Sequence, residues 1–144
     1  MRVRWLDRAL DRLAAIADNR AVFWATAMGF VGLLWLSPRL PMVDLPQHAA
    51  QVVMLRDLLL SASAWTDLVE INLGTPYLAG YLLALPLTLV MPVSTALSAV
   101  LSLSLAGMIA ASVALREEAG ADARLDWLFL PAFFGLAWKW GYYH

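Results

Sequence analysis

Residues 95–115 read TALSAVLSLSLAGMIAASVAL, a stretch without one charged side chain. About 20 apolar residues suffice to cross a hydrocarbon core as a helix, so this run predicts a transmembrane span. The turn Pro92-Val93-Ser94 leads into it, and the charged run from Arg116 to Arg124 follows it. Its small residues, Ser98, Ala99, Ser102, Ala106, Gly107, Ala110 and Ala111, predict close helix packing, because small faces let helices approach in lipid.

Working outward, residues 21–37 are also free of charge and predict a first span, retained as a signal-anchor because the segment before it carries three Asp among its Arg. Residues 76–91 predict a second span kinked at Pro86, and residues 125–144 a fourth, with Lys139 snorkelling near one interface. Trp127, Trp138 and Trp140 fit aromatic belts. In residues 1–20, Trp5, Leu6, Ala9, Leu10, Leu13, Ile16 and Ala17 fall on one helical arc. Arg4, Asp7, Arg8, Asp11, Arg12 and Asp18 fall on the other, which predicts an amphipathic interfacial helix. The long interval 38–75 holds a predicted surface helix over 46–60, opened by Pro46 and closed by Ser61-Ala62-Ser63. The expected fold is therefore an all-α membrane protein: an N-terminal amphipathic interfacial helix, about four transmembrane helices, and a short surface helix in the first outer loop.

Composition supports a membrane setting. The 144 residues are 62% hydrophobic and 15% charged, with a mean hydropathy of +0.69, whereas soluble domains run about 45–50% apolar and about 25% charged. A soluble enzyme is excluded on that ground. The lack of cysteine excludes disulfide scaffolds and thiolate metal sites, and a net charge of −1 offers no basic surface for nucleic acid. Charge bias orients the chain: +2 over residues 1–20, −2 over 38–75 and −1 over 116–124, so the N-terminus is expected in the cytoplasm and both later loops outside.

One constellation carries chemistry. In Pro41-Met42-Val43-Asp44-Leu45-Pro46-Gln47-His48, Asp44 and His48 stand four apart and share a helical face. Asp44 can act as a general base or, with His48, hold a divalent metal; it can equally cap the helix that starts there. Tyr77 and Tyr81 share a face of the second span and can line a groove for a lipid-linked sugar or serve as interfacial anchors. Arg56 can meet a lipid phosphate or form a solvated pair with Asp57. Glu70 and Asn72 lie just before the second span.

The run Asp44-Leu45-Pro46-Gln47-His48-Ala49-Ala50-Gln51 resembles the first outer loop of a group of large bacterial membrane proteins that are similar to GT-C-type glycosyltransferases. The resemblance extends through Thr75-Pro76-Tyr77-Leu78-Ala79-Gly80-Tyr81, Pro131-Ala132-Phe133-Phe134-Gly135 and Trp138-Lys139-Trp140-Gly141-Tyr142, roughly residues 21–144. It implies a multi-pass protein of the bacterial inner membrane, a polyprenyl-phosphate-linked sugar donor, and Asp44 as catalytic base or metal ligand. Members of that group are longer, so the resemblance implies an N-terminal module. The alternative is a small non-enzymatic subunit of a larger membrane complex.

Overall fold

The structure, a computed structural model, describes residues 4–36, 40, 42–74 and 78–135. Among these the chain is all-helical: α1 (Arg4–Asp18), α2 (Arg20–Leu33), α3 (Leu45–Leu59), α4 (Leu78–Leu87), α5 (Val93–Glu118), a 3₁₀ turn (Ala123–Leu125) and α6 (Asp126–Ala132).

Local chemistry sets most boundaries. Asn19 separates α1 from α2: its backbone is extended, and its side-chain oxygen accepts from the Ala21 and Val22 amides at 3.0 and 3.2 Å. Pro46 occupies the first turn of α3, where a missing N–H costs nothing. Both α3 and α5 close with Schellman bonding. The Ala62 amide reaches back to the Asp57 carbonyl, and the Ala121 amide to that of Arg116. These closures place Ser61 (φ 54°) and Gly120 (φ 63°) in the left-handed region. Pro86 withdraws one donor from α4, which ends a residue later and passes into the turn preceding Pro92.

α5 is the axis on which the other helices pack. Its aliphatic face, Leu101, Leu105, Ile109 and Val113, forms one core with Phe23 and Ala27 of α2, Met42, and Leu130 of α6. Its first turns, through Leu97 and Val100, form a second core with Val52 of α3 and Tyr81 and Ala84 of α4. Leu45 packs against both. The small-residue face expected to pack is largely open instead, with Ala106, Gly107, Ala110 and Ala111 exposed. The aromatic and aliphatic partners on α2 and α6 are filled by the larger side chains of α5, so close backbone approach is not what joins these helices.

The expectation of about four transmembrane helices is corrected. Among the described residues, one helix, Val93–Glu118, is long and apolar enough to cross a membrane. Its 26 residues extend about 39 Å. α2 has 14 residues and α4 has 10, or about 21 and 15 Å, against a hydrocarbon core of about 30 Å. α2 stops because its last amides turn to three-residue spacing, Leu34 to Val31 and Trp35 to Gly32. α6 has 7 residues, and residues 136–144 of the expected fourth span, with Trp138, Lys139 and Trp140, lie outside the described residues.

Two further expectations change. The surface helix is α3, and it lies against α5 with His48 and Val52 buried. The orientation drawn from charge bias separated residues 1–20 from loop 116–124, yet the two meet. Arg124 clasps Asp18 through its Nε and Nη2 at 2.6 and 2.7 Å, and the Trp127 indole donates to the Ala17 carbonyl at 3.1 Å. The cause is that α2 runs antiparallel to α5: Arg20 and Arg116 share Asp126 at one end, and Trp35 Nε1 reaches Ser102 Oγ at 2.9 Å further along.

Asp126 is fully buried and receives Arg20 Nη1 at 2.5 Å and Arg116 Nε and Nη2 at 3.0 Å each. Burial by itself would raise its carboxyl, but hydrogen bonds from Arg116 and then Arg20 outweigh it and hold the group below the ordinary value. At the exposed pair, the hydrogen bond from Arg124 lowers the Asp18 carboxyl.

The apolar arc of α1 has no cover among the described residues: Trp5, Leu6, Leu10, Leu13 and Ile16 are each 45–65% exposed.

Candidate functional site

The residues singled out for chemistry gather where α3 and α4 lie side by side along the first half of α5. The two helices run in the same direction, as His48 meets Tyr81 and Arg56 reaches the Thr88 carbonyl. Asp44 sits at the N-cap position of α3 and is half-buried, but its side chain makes no capping hydrogen bond. Its neighbour Leu45 packs against both cores.

His48, one turn on, is buried, with Nδ1 2.8 Å from the Tyr81 hydroxyl. The Tyr81 hydroxyl donates to Gln51 Oε1. The Tyr81 hydroxyl thus stands between His48 and Gln51 and is joined to both. The relay runs from His48 Nδ1 through the Tyr81 hydroxyl to Gln51 Oε1. Asp44, His48 and Gln51 follow at spacings of four and three, which keeps them on one side of α3.

Beyond Gln51 a cleft of about 410 Å³ opens. α3 contributes Gln51, Met54, Leu55 and Leu58; the segment before α4 contributes Val69, Glu70, Ile71 and Asn72; α4 contributes Leu78 and Tyr81. Gln51, Glu70, Asn72 and Tyr81 supply its polar groups, and hydrocarbon lines the rest. Such lining suits an amphiphile, whose head needs hydrogen bonds and whose tail needs none. The Asn72 side-chain oxygen is occupied by the Gly74 amide at 2.8 Å.

Arg56 is not part of the cleft lining: its Nε and Nη2 each lie 2.8 Å from Asp57 Oδ1. Tyr77 lies outside the described residues. Among the described residues no three His, Cys, Asp or Glu side chains come together to hold a metal ion, so Asp44 and His48 lack a third protein ligand there. Gln51, Glu70 and Asn72 complete the site, and their convergence was not readable from sequence. Gln51 carried one signal, its helical register with His48.

Comparison with known proteins gives no family for this arrangement. No protein-family model, no curated protein and no solved structure matches the chain.

Proposed function

We propose that this chain is the N-terminal membrane module of a GT-C-like, glycosyltransferase-related protein, in which the α3–α4 cleft receives a lipid-borne reactant and Asp44 serves as general base. The observation that carries the reading is the cleft beside α3, where Gln51 stands next to Met54, Leu55 and Leu58 and where Tyr81 joins the lining to His48, one turn from Asp44. The resemblance of residues 44–51 to the outer-loop motif of that group supports it, and the helix long and apolar enough to cross a membrane agrees with a membrane setting.

In the proposed reaction, Asp44 takes the proton of an acceptor hydroxyl. The oxygen attacks the anomeric carbon, and the bond from that carbon to the lipid phosphate breaks, the phosphate leaving with the electron pair. His48, one turn from Asp44, is joined through Tyr81 to Gln51 in the cleft lining. The test is transfer of labelled sugar from a polyprenyl-phosphate donor in native membranes containing the protein. Asp44→Asn is expected to lower transfer at least about 100-fold with the membrane level of the protein unchanged, the usual scale for losing a general base. Undiminished transfer in that variant refutes the base assignment. Absence of transfer in the parent membranes, with co-migration of the chain with an unrelated complex in mild detergent, replaces the enzyme reading with the accessory-subunit one.

A further inference from the structure

The lining of the α3–α4 cleft also selects the chemistry of its occupant, provided the cleft takes a lipid-borne reactant as proposed above. Among the described lining residues, the one formal charge is the carboxylate of Glu70. The basic residue on the same helix, Arg56, is committed to Asp57 and to the Thr88 carbonyl and takes no part in the lining. A phosphate brought here would face a carboxylate with no guanidinium or ammonium among the described lining residues to meet it, in a cleft whose wall is mostly hydrocarbon. The two negative charges repel, and no basic side chain among the described lining residues offsets that repulsion.

The neutral groups present a different pattern. Gln51 spends its oxygen on Tyr81, and Asn72 spends its oxygen on Gly74, so each turns an amide N–H₂ into the role of donor. Glu70 supplies the acceptor. Two amide donors and one carboxylate acceptor are what the hydroxyls of a polyol require, since each hydroxyl both gives and takes a hydrogen bond. Met54, Leu58 and Ile71 then offer hydrocarbon to the chain attached to it.

We infer that this cleft binds an amphiphile through an uncharged, hydroxyl-bearing head, and so holds the acceptor lipid and not the phosphate-bearing donor. The test uses the protein in phosphatidylcholine nanodiscs with two photoactivatable probes of equal tail length, a dodecyl glucoside and a dodecyl phosphate, followed by peptide mapping. The glucoside is expected to label the segments carrying residues 51–58 and 69–72 at least about tenfold more than the phosphate does. Gln51→Leu and Asn72→Leu are expected to lower glucoside labelling severalfold at unchanged helical content. Glu70→Lys is expected to reverse the preference. Phosphate labelling of the parent protein equal to or above that of the glucoside overturns this inference and leaves the lipid-site reading standing. Labelling of these segments by neither probe overturns both.

Discussion

Replacing Asp126 with alanine takes a buried carboxylate from two arginines and leaves Arg116, among the described residues, only the exposed Glu117 at 3.1 Å. The carboxylate takes three N–H contacts, one from Arg20 and two from Arg116, and its own side chain is fully buried. Removing one partner of a buried ion pair costs about 3–5 kcal/mol, since the charge left behind keeps its desolvation penalty. Arg20 is 35% exposed and regains water, which discounts that figure to roughly 2–4 kcal/mol. For a chain of this length about 3 °C of Tm accompanies each kcal/mol, so the expected drop is roughly 6–12 °C. The assay is thermal unfolding followed by far-ultraviolet circular dichroism in a mild non-ionic detergent. The double variant Asp126→Leu/Arg116→Met, which removes the more deeply buried of the two arginines and keeps apolar volume, should recover much of the loss. A drop below about 3 °C for Asp126→Ala would show that the carboxylate is solvated. The antiparallel placement of α2 on α5, which this carboxylate joins, would then be wrong.

Three other outcomes follow from the geometry. Asp126 and Asp18 both titrate below the ordinary 3.8 in the folded chain, so the stability they contribute is complete above that pH and is lost as pH falls through their lowered values; a Tm that stays constant from pH 4 to pH 2 contradicts this. Ser61→Gly removes a side chain from a left-handed position and should stabilise by about 0.5–1 kcal/mol in chemical unfolding, whereas Gly120→Ala at the matching site on α5 should destabilise by about 1 kcal/mol; the same sign for both would refute the closure geometry. Phe23, fully buried with its ring 5.5 Å edge-on from Trp127, should cost about 3–5 kcal/mol as Phe23→Ala and markedly less as Phe23→Leu, with a change in tryptophan emission in both.

How much was legible depends on whether a feature is local. The limits of α3 follow from Pro46 and from Ser61-Ala62-Ser63, all within a few residues of the boundary they set. The long uncharged run around Leu105 is visible as composition. The short reach of α2 and α4 is not, because hydropathy averages over a window while a helix ends where particular amides change partner, as at Leu34 and Thr88. The orientation failed for a related reason. Charge bias sums each segment by itself, but Asp18 is neutralised by Arg124 and Asp126 by Arg20 and Arg116, all across segments. The site behaves the same way. Asp44 and His48 stand out by residue type, whereas Gln51 gains its role only from Tyr81, 30 residues away, and Glu70 and Asn72 gain theirs from a fold-back that no periodicity announces.

The dependence of both cores on α5 has a consequence for how the chain is made. Residues 20–87 supply one side of each core, and the other side begins only at residue 93. During synthesis, Phe23, Val52 and Ala84 must therefore wait, without their final neighbours, until residues 97–113 have left the ribosome. A protein arranged this way depends on whatever shelters its first half during that interval, whether lipid or an insertion factor. Stalling translation before residues 97–113 have emerged is where its aggregation and proteolysis should concentrate.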